Sequence, residues 1–482
     1  MPEPSPHVEF NHFTRLHPAA VNTKKLPNFG RLTTGKPLGM QASVSQDTPV
    51  RPVFCLSGDD GNVINVSKLY CGEESVSDWL RYGESAAPAA GGEHKTGCQP
   101  ALHASQRRPV VVWNSTRACN LRCLHCYSDS DAHADRNELT TDEAREMIRD
   151  LARFAVPAVL FSGGEPLLRP DLFELADFAR SLGLHCTLST NGTLIGEEVA
   201  HRIHRGGFTY VGISLDGIGE VNDHFRGRAG AFRDAMRGFR NCVAVGQRVG
   251  LRMTLTRHNV GNLGNIFDFI EREQIDRACF YHLAYSGRGS HLRADDLSAD
   301  ETRRAMDLIL DRTEDFHRRG LRKEILTVDN HVDGVYLHLR LREKSPERAE
   351  AVMARLRWNG GGLYSSGVGI GAVDWTGNVH PDQFWSDHTF GNVRKRPFSE
   401  IWMDTSDPLM RGLKDRRSHI VGQCRRCRHF DACGGALRVR AAAAFGNPWA
   451  WDPGCYLTDE EIGLTAQDVI ALRAAGDYFE RP

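Results

Sequence analysis

Three cysteines, Cys119, Cys123 and Cys126, lie in the stretch TRACNLRCLHCYSDS, just after the apolar run VVVWN (110–114). A continuous apolar run of that length reads as a strand buried on both faces, the kind found in parallel sheets. The thiols therefore stand at the carboxyl end of a central strand. Their spacing, Cys-x3-Cys-x2-Cys, puts three soft ligands on one short loop, and thiolates favour iron–sulfur clusters, zinc or copper(I). Three ligands from a single loop leave one iron of a four-iron cube without a protein ligand. A zinc knuckle is the alternative, but zinc sites usually pair CxxC units and close with a fourth nearby ligand.

Strand and helix then alternate. Thr140 and Glu143 form a capping-box signature ahead of the amphipathic segment TTDEAREMIRDLARFA. After it come AVLFSGG, the helix DLFELADFARSLG, HCTLSTNG, the helix EEVAHRIHRGG and YVGISLDG. A helix through AFRDAMRGFRN, LRMTLT, a helix in GNIFDFIEREQ and ACFYHLAYSG complete the series. Six strands alternating with helices imply parallel pairing through right-handed crossovers. The expected class is α/β, a partial (β/α)6 barrel over residues 109–325, with its chemistry at the strand carboxyl ends.

The flanks differ from this core. Residues 1–108 are rich in Pro, Gly, Ser and small residues and form an irregular N-terminal extension of unassigned function. Within it PVFCLSG and NVINVSKLY are strand-like and could pair as a hairpin around Gly58-Asp59-Asp60-Gly61. Cys55, Cys71 and Cys98 are irregularly spaced there and read as buried or free thiols; Cys186, Cys242 and Cys279 read as core thiols. Residues 326–482 contain a helix in SPERAEAVMARLR, a Gly-rich run and a second cysteine cluster, and are expected to form a separate lobe over the barrel mouth.

With 60 Lys and Arg against 61 Asp and Glu, the chain lacks the basic excess that a nucleic-acid partner would want. No signal pattern or bilayer-length apolar run is evident, so no membrane partner and a cytoplasmic location are expected. Thirteen cysteines in that compartment read as metal ligands and free thiols.

The cysteine loop, together with FSGGEPLL (161–168), STNGT (189–193) and ISLDG (213–217), resembles the radical S-adenosylmethionine (radical SAM) enzymes over residues 108–290. The resemblance implies that Cys119, Cys123 and Cys126 hold a catalytic [4Fe-4S] cluster whose open iron binds S-adenosylmethionine. It assigns contacts with that cofactor to Tyr127, Gly163, Gly164, Glu165, Ser214 and Asp216. Arg226, in NDHFRG, and Arg252, in LRMTLT, are candidates for its carboxylate. FYHLAYSGRG (280–289) is placed along the adenine, with Arg288 near the substrate.

A second set, Cys424, Cys427, Cys433 and Cys455, gives Cys-x2-Cys-x5-Cys and a distant fourth thiol, enough to close a cube completely. It resembles the SPASM-like auxiliary-cluster domain, although no cysteine lies between residues 280 and 423, so one auxiliary [4Fe-4S] cluster is expected. Zinc would also suit four thiolates. Arg425, Arg426 and Arg428 would raise the cluster's potential or be solvated.

The run SSGVGIGAVDWTGNVHPDQFW (365–385), with the WNSTRACNLRCLHCYS opening and the DPGCYLTDEEIG ending, resembles the NirJ (haem d1) and AhbC (alternative haem) group over residues 108–482. The implied substrate is a modified sirohaem, 12,18-didecarboxysirohaem, losing propionates in NirJ-type proteins and acetates in AhbC-type ones. The NirJ type is the leading expectation. His380 would ligate the substrate iron or bond a propionate, and Trp375, Phe384 and Trp385 would stack on the macrocycle or pack as core. A flavodoxin- or ferredoxin-type reductant is implied. A peptide maturase is the competing substrate class, though the extension lacks the helical periodicity of a winged-helix peptide-binding module. An electron carrier is the non-enzymatic alternative, and it would have no use for an S-adenosylmethionine pocket.

Overall fold

The computed structural model describes residues 63–73 and 108–480. The six expected strands are present as β2 (Val110–Asn114), β3 (Ala158–Ser162), β4 (His185–Thr190), β5 (Tyr210–Ser214), β6 (Val249–Thr254) and β7 (Arg277–Tyr281). Each pairs in parallel with the next, Val112 opposite Leu160 and Ile213 opposite Leu251, for example. The capping box forms as read: Thr140 accepts from the Glu143 N–H and Glu143 reaches back to cap the helix Thr141–Arg153. The apolar stripes of the crossover helices, such as Met147, Ile148 and Leu151 or Leu172, Leu175 and Ala179, bury against the sheet in one continuous core.

The sheet runs past the six strands at both edges. A further parallel strand, β8 (Glu324–Val328), follows β7, so the expected boundary at residue 325 falls inside a strand. Beyond it β1 (Val63–Asn65) adds antiparallel, Val63 opposite Val328. On the opposite edge β9 (Ile370–Val373) pairs parallel with β2, and β10 (Asn378–His380) and β11 (Gly391–Asn392) continue antiparallel. One sheet of eleven described strands thus draws on all three compositional stretches.

The strand expected across NVINVSKLY stops at Asn65. Its Oδ1 accepts the Lys68 N–H at 2.9 Å, and a helical turn, Ser67–Cys71, takes the chain away from the sheet. A side-chain acceptor placed so close to the backbone offers it an alternative to the ladder. The hairpin partner PVFCLSG lies outside the described residues, as do Cys55 and Cys98. Cys186, Cys242 and Cys279 are buried core thiols. Among the described residues no helix is long and apolar enough to cross a membrane.

Ser67 ties this turn to β8. Its hydroxyl donates to the Lys323 carbonyl at 2.6 Å and accepts the Ile325 N–H at 2.9 Å, both buried. Ser67→Ala leaves two backbone groups unpaired and should lower unfolding free energy by about 1–3 kcal/mol. Urea denaturation checks this; an unchanged midpoint would mean that the turn contributes nothing to the sheet edge.

Candidate active site

The carboxyl ends of the parallel strands converge on a cavity that, with its open mouth, encloses about 1230 Å³. Ser162, Thr190, Ser214, Thr254, Tyr281 and Val328 each bring one strand end to its wall. Cys119, Cys123 and Cys126 line it together.

The cysteine loop is gripped on two sides. Gly163 (φ +133°) and Gly164 lie against its backbone: a Cβ on Gly163 would come within 2.5 Å of the Thr116 carbonyl, and one on Gly164 would strike Ala118 O. The bare backbone instead bonds there, Gly164 N–H to Thr116 O and Glu165 N–H to Ala118 O, each at 2.8 Å. On the other side Arg288 donates from Nε to the Cys123 carbonyl at 2.8 Å and from Nη1 to Ser130 O at 2.9 Å, and forms an ion pair with Asp129 at 2.7 Å. Arg288 therefore clamps the loop through Nε and Nη1 and is not among the residues lining the cavity, where a substrate contact was expected of it.

Asp216 and Arg226 also differ from expectation. The Asp216 carboxylate is fully buried, 2.5 Å from Arg226 and 3.3 Å from His125 Nε2, and it accepts the Thr254 N–H at 2.9 Å. It does not line the cavity. Arg226 does, with Nη1 3.6 Å from Cys123 Sγ, but its charge is paired with Asp216. Burial lowers the His125 pKa to about 4, so this imidazole is neutral near neutral pH. His125, sitting between two of the cysteines, was missed because an interior histidine of a loop motif gives no sign of its partner.

Gly163, Gly164, Ser214, Arg252 and Tyr127 all reach the wall. Arg252 donates to Ser189 Oγ at 2.7 Å, and the Tyr127 hydroxyl bonds Asn114 and Ser162. The Glu165 side chain points elsewhere, accepting from Thr190 Oγ1 at 2.7 Å, Asn191 N–H at 2.8 Å and Leu167 N–H at 3.1 Å. It braces the loop after β4. Asn191, not singled out from sequence, extends Nδ2 to within 3.9 Å of Cys119 Sγ.

Cys424, Cys427, Cys433 and Cys455 surround a second, smaller apolar cavity. Among the described residues no three His, Cys, Asp or Glu side chains converge closely enough to hold a single metal ion. Thiols ringing a cavity suit a multi-atom cluster better than one zinc. Around this set Arg426 and Arg428 turn outward, to Asp468 and the Glu460 carbonyl. The buried cations are Arg416 and Arg438, which donate to backbone carbonyls at Gly362, Pro448 and Ala450. Burial holds the Cys119 and Cys424 thiols well above the ordinary range, so metal loading must displace their protons.

His380 does not reach either cavity. Nδ1 bonds the carbonyl of His388, in the segment between β10 and β11, at 2.7 Å, and Nε2 lies 3.2 Å from Asp374, in the turn between β9 and β10, so both ring nitrogens are used. The expected iron ligation by His380 is corrected accordingly. Phe384 reaches the wall of the first cavity and meets the Tyr127 ring edge-on, whereas Trp385 packs with Leu413 and Leu437.

Two expectations follow. Arg288→Ala should leave the second cysteine set loaded with iron while the first loses it and S-adenosylmethionine cleavage disappears; full loading with only substrate turnover lost would restore Arg288 to the substrate. Burial raises the Glu165 pKa from 4.5 to about 7 despite its three donors. Its contribution to stability is then present below about pH 4.5 and lost as pH rises through about 7, a change of roughly a few kcal/mol. Denaturation of cofactor-free protein across that range should show this slope, and Glu165→Gln should flatten it.

Comparison with known proteins agrees with this architecture. The radical SAM superfamily profile matches residues 113–270, and the SPASM iron–sulfur cluster-binding domain profile matches residues 369–428. Fe-coproporphyrin III synthase of Methanosarcina barkeri is 52% identical over 404 residues, 83% of this chain and 99% of that protein. Pre-heme d1 synthase of Dinoroseobacter shibae is 44% identical over 374 residues, 77% of this chain and 92% of that one. AdoMet-dependent heme synthase of Oleidesulfovibrio alaskensis is 30% identical over 349 residues, 72% of this chain and 86% of that one. In fold the chain is similar to Streptococcus suis SuiB bound to S-adenosylmethionine, with a TM-score of 0.56 at 18% identity over 73% of this chain and 78% of SuiB. It is equally similar to anSMEcpe with bound AdoMet, with a TM-score of 0.57 at 17% identity over 73% of this chain and 95% of that one. The chain belongs to the radical SAM superfamily, to the SPASM-bearing group that includes pre-haem d1 synthase and the AdoMet-dependent haem synthases.

Proposed function

We propose that the protein removes acetate side chains from an iron tetrapyrrole of the didecarboxysirohaem type, giving Fe-coproporphyrin III. The observation that carries this is the 52% identity to a protein of that product name along 99% of its length. Coproporphyrin bears only methyls and propionates, so each acetate must leave whole. Hydrogen-atom removal from the adjacent saturated ring carbon lets the carbon–carbon bond to the acetate break and a ring double bond form. The departing carboxymethyl group takes up one electron from the external donor and a proton to leave as acetate. The propionate-removing, haem d1 reading stands second, supported by the 44% identity to pre-heme d1 synthase. The order is the reverse of the one the motifs alone implied. The maturase reading is supported by 33% identity to mycofactocin maturase MftC of Mycobacterium tuberculosis over 366 residues, which is below the 52% and 44% of the two haem-pathway relatives. The peptide-bound SuiB likeness at 17% identity speaks to fold only.

In this reading Cys119, Cys123 and Cys126 hold the catalytic cluster, and Cys424, Cys427, Cys433 and Cys455 the auxiliary one. Cluster and S-adenosylmethionine together supply a 5′-deoxyadenosyl radical that removes a hydrogen atom from an unactivated carbon. The chain supplies position and dryness. Gly163 and Gly164 open their backbone to the methionine end, Ser214 and Arg252 offer polar contacts further along the wall, and Leu283, Ala284 and Phe384 give an apolar surface for a macrocycle. Electrons come from outside, from a flavodoxin- or ferredoxin-type donor.

Anaerobic incubation of reconstituted protein with S-adenosylmethionine, dithionite and didecarboxysirohaem, read by mass spectrometry, tests the proposal. Acetate-derived mass should be lost and Fe-coproporphyrin III formed. Loss of propionate-derived mass would establish the haem d1 reading instead, and an unchanged macrocycle beside 5′-deoxyadenosine would discard both.

A further inference from the structure

His282, at the carboxyl end of β7, lines the main cavity while being only 8% exposed. Its Nε2 lies 2.9 Å from Asp333 Oδ2. The other oxygen of that carboxylate, Oδ1, accepts the Tyr456 hydroxyl at 2.8 Å, and Asp333 is fully buried. With Oδ1 accepting from Tyr456, Oδ2 is placed to accept the Nε2–H hydrogen bond of a neutral imidazole, which assigns the tautomer. Nδ1 is then an unprotonated lone pair with no hydrogen bond to any described residue, on a side chain that forms the cavity wall.

We infer that His282 is the axial ligand of the substrate's iron, through Nδ1; this rests on the iron-tetrapyrrole reading above. A ligating histidine characteristically gives its other N–H to a carboxylate, which fixes the ring and strengthens its donation. The Asp333–His282 pair has that arrangement, and Tyr456 holds the carboxylate from behind. The same tautomer argues against a proton-donating role, since the nitrogen left for the cavity carries no proton. Beside His282 the wall carries the apolar side chains of Leu283, Ala284 and Val328, with Phe384 also lining the cavity, and the Asp329 carboxylate next to Val328, so that a macrocycle face could pack on the apolar part. Ligation at the metal would hold the ring by its centre and leave its rim free for the cysteine-loop side of the cavity, which the same wall includes. It would also permit the ring to be rebound in a second orientation, which two side-chain removals on one macrocycle demand.

Reconstituted wild type, His282→Ala, His282→Gln, Asp333→Asn and His380→Ala are each mixed anaerobically with Fe-coproporphyrin III and examined by EPR and by resonance Raman of the iron–imidazole stretch. The expected result is an imidazole-ligated iron in wild type and His380→Ala, no such signature in His282→Ala or His282→Gln, and a shifted stretch in Asp333→Asn. Imidazole added to His282→Ala should bring the signature back. An unchanged signature in both His282 variants would overturn the assignment while leaving the tetrapyrrole reading intact. Absence of any bound iron tetrapyrrole in wild type would overturn the substrate reading and this inference with it.

Discussion

The buried Asp216 carboxylate is the constraint on which the main site depends. It stands just past the end of β5 and joins three segments distant in sequence: His125 from the cysteine loop, Arg226 from the helix Glu220–Arg226 and the Thr254 amide at the end of β6. Because burial keeps His125 neutral near neutral pH, Arg226 is the partner that balances the carboxylate's charge. Removing one member of such a pair leaves an uncompensated buried charge, costing about 3–5 kcal/mol. The pair also sets backbone geometry, since the Arg226 and Phe225 carbonyls accept the Arg122 and Leu124 amides of the cysteine loop. The three thiols owe their convergence to these bonds, for the loop itself contains no regular secondary structure.

The C-terminal stretch is bound to the barrel by the same kind of contact. Arg440 and Asp452, each about 1% exposed, form an ion pair at 2.7 Å. Arg440 also donates to the Leu283 carbonyl at 3.1 Å, on the main cavity, and Asp452 lines the second cavity while accepting the Leu437 and Gly454 amides. One ion pair therefore spans from the wall of one cysteine site to the wall of the other. Gln383 and Phe384 from the same stretch complete the main cavity. The lobe expected over the barrel mouth is thus part of the site's wall, continuous with the sheet through β9.

The sequence was informative where a pattern has one physical solution. Apolar runs punctuated by amphipathic helices can bury themselves only as a parallel sheet, and six strands and the Thr140–Glu143 capping box were found as read. Cysteine spacing predicted two groups of thiols, and each group does line a single cavity. Charged residues were not legible. Arg288, Asp216 and His380 all looked like ligand contacts, and all three are engaged by backbone or side-chain partners and do not themselves line the cavity. An arginine in a glycine-rich loop looks the same whether it faces a substrate carboxylate or a carbonyl of a neighbouring loop, since the donor geometry suits either. The short β1 was half hidden for a different reason: the Asn65 side chain ends the strand locally, against the β-branched run around it.

His282 shows the converse. Nothing in FYHLAYSGRG distinguishes that histidine, and its partner Asp333 is 51 residues away in a helix beyond the next strand. The distinction between His282 and His380 lies in their unused atoms. His380 is 5% exposed with both ring nitrogens bonded, so it is a satisfied interior histidine. His282 is about as buried, at 8%, yet bonds through one nitrogen and turns the other side of its ring to a cavity. A fold that spends a buried carboxylate and a tyrosine hydroxyl on fixing one nitrogen of a ring, while leaving the other open, is organised around what occupies the cavity.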